Sequence, residues 1–85
     1  MRYTLSPEAI DQLTHLPKHI QKKVHRQLSL LLKDYRHPSL RTRKMGGEHH
    51  FEGRVDIHYR FTFMVDGEDI YILTIGMHDK GLGKK

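Results

Sequence analysis

An α+β fold, with an N-terminal strand and a two-helix hairpin packed on one face of an antiparallel sheet, is what this chain predicts. Three observations carry that expectation. Apolar residues recur at helical spacing between residues 7 and 35, strand-like alternation fills residues 51 to 76, and one short alternating stretch precedes the helices. At 85 residues the whole chain, 1–85, reads as one domain near the lower limit of what folds without staples. It has no cysteine, so apolar packing and any tightly bound partner must supply its stability.

Tyr3 and Leu5 alternate with Arg2 and Thr4 as in a short first strand. Ser6-Pro7-Glu8-Ala9 is a helix start: Ser6 can cap, Pro7 suits the first turn, and Glu8 complements the dipole. Ile10, Leu13 and Leu16 then form one apolar stripe. Pro17 ends this helix and opens the next, where Ile20, Val24, Leu28, Leu31 and Leu32 recur at helical spacing to about Tyr35. His37-Pro38-Ser39 ends the helical part, since proline discourages helix in the residue before it. Gly46-Gly47 marks a turn after a basic stretch. Three strands follow, Phe51 to Asp56, Tyr59 to Val65 and Ile70 to Gly76, with Asp66-Gly67-Glu68-Asp69 turning between the last two. The methionines read as core filler.

The formal net charge is +5, with 15 Lys and Arg against 10 Asp and Glu. The excess clusters. Lys18, Lys22, Lys23 and Arg26 lie on the outer face of the second helix, Arg41, Arg43 and Lys44 in a second group, and Lys80, Lys84 and Lys85 in a third. Such a field favours nucleic acid, an acidic protein or an anionic surface, though a merely solvated basic exterior is also consistent with it. No apolar leader and no membrane-spanning run is visible, so the expectation is a soluble cytoplasmic protein without membrane contact.

Strand parity brings candidate site residues together, because alternate side chains point to opposite faces. One face takes Phe51, Val55, Tyr59, Phe61, Phe63, Val65, Tyr71, Leu73 and Ile75, an apolar layer for the helices. The other takes Glu52, Arg54, Arg60, Thr62, Thr74 and, past the last strand, His78, with Met64, Ile70 and Ile72 among them. Cleaving RNA through its own 2′-hydroxyl needs a proton acceptor, a proton donor and positive charge on the crowded phosphate. Arg54 and Arg60 supply forked, permanently charged donors. His78 can transfer a proton near neutral pH. Glu52 can accept one, although an arginine neighbour weakens it as a base.

Arg54 or Arg60 alone is ordinarily a surface ion-pair member, and it is both on one face beside a terminal histidine that suggests a site. Lys44, His49, His50, Asp79 and Lys80 are candidates for positioning substrate, with His49 and His50 in the loop before the strand and Asp79 better placed to cap donors than to act as an acid. The histidine spacing matches no structural zinc site and lacks thiolates, so neither metal nor other cofactor is expected.

The stretch Phe51-Glu-Gly-Arg-Val-Asp-Ile-His-Tyr-Arg-Phe-Thr-Phe-Met-Val65, followed by Ile70-Tyr-Ile-Leu-Thr-Ile-Gly-Met-His-Asp79, resembles the sheet half of RelE/ParE toxins. There an aromatic and basic strand leads to a Tyr-Arg-aliphatic strand, an acidic turn, and a final strand ending in Gly-x-His or Gly-x-Arg. The preceding strand and helices agree in order and length, so the likeness spans nearly the whole chain. It implies a toxin held in a hetero-oligomer by a cognate antitoxin that wraps it and blocks its basic site. RelE-type members enter the ribosomal A site and cut messenger RNA without a metal. By position Arg60 matches the arginine that contacts the scissile phosphate, Arg54 a basic residue of the preceding strand, and His78 the functional Arg or His of the last. Glu52 stands where some members have lysine.

RelE's own tail tyrosine has no counterpart in Gly81-Leu82-Gly83-Lys84-Lys85, which is also too short for a substantial final helix, so His78 would carry more of the proton transfer. Two other functions share these features. One is a ParE-type toxin that binds DNA gyrase without nuclease activity, and the other is a nucleic-acid-binding module without turnover.

Overall fold

The computed structural model describes residues 2–34, 36–46 and 49–77. Along them run β1 (Arg2–Leu5), α1 (Pro7–Thr14), α2 (Lys18–Lys33), a 3-10 turn (Pro38–Leu40), β2 (Arg43–Lys44), β3 (His50–Arg54), β4 (Tyr59–Asp66) and β5 (Asp69–Met77). The strands form one sheet in the order β1-β5-β4-β3-β2, with β1 parallel to β5 and the other pairs antiparallel. This is the α+β architecture that the sequence predicts, with the helices on one face.

The ends of α1 are held by identifiable contacts. Ser6 Oγ accepts from the Ala9 N–H at 3.0 Å and donates to the Leu73 carbonyl at 2.8 Å, so the cap of α1 is also its attachment to β5. Where β1 runs out, the Ser6 N–H donates to Ile72 O, and the Ile75 N–H donates to Gln12 Oε1 at 2.6 Å. Thus α1 continues the hydrogen bonding of the β5 edge that β1 leaves open. The Gln21 amide donates to the carbonyls of Leu13 and Leu16, satisfying the frayed end of α1 from the first turns of α2. The apolar stripe of α2 is buried as expected at Ile20, Val24, Leu28 and Leu31. Full burial of one such leucine contributes about 1.5–3 kcal/mol. In α1, however, it is Ala9 that is buried, and Ile10 is 51% exposed.

The sheet contributes Val55, Phe61, Phe63, Ile70, Ile72 and Ile75 to the same core. Gly53 lies directly opposite Phe61, and its missing side chain makes room for that ring: a Cβ there would stand 2.5 Å from Phe61 Cζ. Phe51 stacks on Phe63 with ring centroids 5.4 Å apart.

One expected face assignment is overturned. Alternation put Tyr71 and Leu73 on the core side and Ile70 and Ile72 on the open side, yet Ile70 and Ile72 are fully buried and Tyr71 is 40% exposed. The cause is a β-bulge: Thr62 pairs with Thr74 but Phe63 pairs with Ile72, leaving Leu73 as an extra residue on β5. One inserted residue reverses parity for everything before it. Smaller corrections accompany it. Met64 and Met77 are exposed rather than core filler. His50 opens β3 instead of lying in the preceding loop, and Pro38–Leu40 makes a helical turn that buries Leu40.

Candidate active site

The face of the sheet turned away from the helices is ordered in rows by the strand register. Arg54 of β3 stands directly opposite Arg60 of β4, which stands opposite Gly76 of β5. The next row runs Arg43, Glu52, Thr62, Thr74, and the one after it His50, Met64, Tyr71. Glu52, Arg54 and Arg60 therefore share a face, as the alternation of β3 and β4 predicts. His78, Asp79 and Lys80 lie outside the described residues.

Like charges directly opposite each other on a sheet are destabilising. Arg54 and Arg60 are such a pair, and among the described residues no carboxylate is bridged to either. Arg60 is held instead by backbone: its Nη1 donates to the carbonyls of Asp56 at 2.6 Å and Tyr59 at 3.1 Å. That aims the guanidinium by way of the turn between β3 and β4. The turn is itself pinned, since Asp56 Oδ1 accepts from the N–H groups of His58 and Tyr59 at 2.8 and 2.9 Å, and Lys23 of α2 reaches Oδ2 at 3.1 Å. Burial of the Asp56 carboxyl pushes its pKa up, but the His58, Lys23 and Tyr59 hydrogen bonds and the Lys23 charge outweigh burial and hold it below the ordinary aspartate range. Gln27, buried on α2, adds a second brace by donating to Arg54 O at 2.8 Å and Ser39 O at 3.3 Å.

Glu52 is buried and paired. Its side chain is 6% exposed and its Oε1 accepts from Arg43 Nε and Nη2 at 3.2 and 3.1 Å. Lys44 sits opposite Phe51, on the helix side of the sheet, where it lines a cavity of about 290 Å³ with Arg36, Thr42 and Phe51. So the structure puts Lys44 on the opposite face from Arg54 and Arg60, and places Arg43 on their face one row away. His50 is on the open face, half-buried, whereas His49 is exposed in the turn before β3 with a left-handed φ of 62°. Sequence reasoning counted Arg43 only within a basic cluster and passed over Asp56 and Gln27. For Arg43 the signal was its place one residue before Lys44 on an edge strand too short to recognise. No group of three or more His, Asp or Glu side chains among the described residues is placed to share a metal ion, and no described helix is long and apolar enough to cross a membrane.

The sequence matches no protein-family model and no curated protein. The fold has close counterparts among solved structures. A chain of the archaeal RelE–RelB complex from Pyrococcus horikoshii OT3 superposes with a TM-score of 0.80 at 17% identity, over 94% of this chain and 97% of that one. A chain of the E. coli DinJ–YafQ toxin–antitoxin complex gives 0.74 at 12% identity, over 95% and 96%. A chain of the YoeB dimer from Staphylococcus aureus gives 0.71 at 21% identity, over 92% and 97%.

Proposed function

We propose that this chain, which has the fold of the RelE/ParE toxins, is the single-domain toxin of a type II toxin–antitoxin pair. In this reading it is a metal-independent endoribonuclease that cleaves messenger RNA in the ribosomal A site, in the cytoplasm. The observation that carries this reading is the Arg54–Arg60 pair: opposed cations with no bridging carboxylate among the described residues weaken a sheet and make sense as a clamp for an anion. The fold supplies the context, and its solved counterparts in complex with RelB and DinJ support an antitoxin partner for this chain too.

The chemistry follows from the face. The 2′-hydroxyl of one nucleotide attacks its own 3′-phosphate, a P–O bond to the next nucleotide's 5′-oxygen breaks, and one proton is removed as another is delivered. Arg54 and Arg60 stabilise the charge that gathers on the phosphate oxygens. His78 is assigned the proton transfer on the resemblance of its position, and His50 stands on the same face to orient the strand. Primer extension on a defined message, with purified protein and with or without programmed ribosomes, tests the reading. Cuts at A-site positions that require ribosomes and fall about 10²-fold or more in Arg60→Ala are expected. Intact message from folded protein that is toxic in cells would replace it with the gyrase-binding alternative.

A further inference from the structure

We propose that Arg43 is a third phosphate-binding cation of the open face, and that Glu52 is its positioning residue rather than a proton acceptor. This rests on the reading of the open face as an RNA site. Arg43 and Glu52 are direct cross-strand partners, so both side chains stand on that face. Their exposures are opposite: 67% for the Arg43 side chain and 6% for Glu52. A strand of RNA lying on this surface meets the guanidinium, and the carboxylate beneath it is covered. A base that must touch a ribose hydroxyl is badly served by that arrangement.

The pairing geometry explains why a buried carboxylate is present at all. Removed from water, Glu52 needs a charge partner, and Arg43 provides two N–H bonds to one oxygen. An arginine has five N–H donors, so the same contact leaves three to reach a ligand. It also fixes a long side chain at the sheet edge, which lowers the entropy lost when an anion binds. Arg43 lies one row from the Arg54–Arg60 pair, and rows on one face of a strand are about 7 Å apart. That places it to hold the phosphate neighbouring the scissile one, the backbone contact that registers a single strand. Lys44, its neighbour in sequence, faces the other way.

The test uses the full chain, with two readouts: steady-state cleavage of a defined message on programmed ribosomes, and fluorescence binding of a short single-stranded RNA across salt concentrations. Arg43→Ala is expected to weaken RNA binding five- to tenfold, to reduce the slope of log affinity against log salt by about 0.7, and to raise KM more than it lowers kcat. Glu52→Gln keeps the shape but not the charge. It is expected to weaken binding less than Arg43→Ala, with no further loss in the double variant, and to lower kcat less than tenfold. A kcat fall of about 10²-fold or more in Glu52→Gln marks a general base and overturns the proposal. So does unchanged affinity and salt slope in Arg43→Ala, or an inability of the wild type to bind the RNA at all. Arg43→Lys, which keeps the charge and loses the fork, separates misfolding from lost contact when thermal unfolding is followed alongside. If the wild type binds RNA but never cleaves, the nuclease reading fails while the binding series still decides the function of Arg43.

Discussion

The two faces of β3 and β4 are built on opposite principles from alternating residues of the same strands. On the helix side Phe51, Gly53, Phe61 and Phe63 fit by volume, with a glycine giving up its side chain so that a ring can occupy the space. On the open side Arg54 and Arg60 meet as like charges, Glu52 is buried under Arg43, and the fit is electrostatic. One face stabilises the fold. The other sets like charges opposite each other, and a shift of a single residue along either strand crosses from one regime to the other.

Stability measurements test how cleanly the two faces divide these tasks. The largest effect belongs to the helix side: Phe61→Ala is expected to cost roughly 3–5 kcal/mol in urea unfolding, a large part of a small domain's stability. A cost under about 1 kcal/mol would remove the contrast. Gly53→Ala comes next, at about 1–3 kcal/mol, because the new Cβ meets the Phe61 ring. Thermal unfolding checks it as a fall of roughly 4–24 °C, at about 4–8 °C per kcal/mol for this size.

Asp56→Asn follows, costing about 1 kcal/mol at neutral pH, since charged hydrogen bonds at the turn become neutral ones. The folded-state pKa of Asp56 is depressed, so its contribution is complete above the unfolded value and is lost as pH falls through the folded one. The gap between variant and wild type therefore closes on acidification below about pH 4. The smallest change in stability, and the one that sharpens the comparison most, is expected of Arg54→Gln. Relief of like-charge opposition leaves unfolding within about 0.5 kcal/mol of wild type, while ribosome-dependent cleavage drops about 10²-fold. A parallel loss of both would mean that Arg54 serves the fold.

Much of this was legible in the residues. The strand–helix–helix–sheet order, the buried stripe of α2 and the shared face of Glu52, Arg54 and Arg60 all follow from periodicity and parity. Parity failed at β5 because a bulge leaves no mark on hydrophobic alternation: Ile70, Tyr71, Ile72 and Leu73 are apolar or aromatic on both faces, so nothing in their order shows which side is buried. Ile10 and Ala9 exchanged burial because Gln12, a polar residue bonded to the backbone of β5, sets the rotation of α1 in place of an apolar contact. Arg43 was hidden by the brevity of β2, which has two residues and no pattern to detect.

The parallel pairing of β1 with β5 has a consequence for timing. Residues 2–5 wait for residues 69–72 before they gain a neighbour, and Ser6 and Gln12 bond to residues 72–75. Synthesis proceeds at about 5–20 residues per second, so the first strand and helix leave the translating ribosome seconds before their support does. Native contacts this distant in sequence slow the search for the folded state. Until β5 emerges, the Arg60 strand lacks its partner on that side and the five-stranded sheet is incomplete. A chain still under synthesis therefore lacks the completed sheet until nearly all of residues 2–77 have been made.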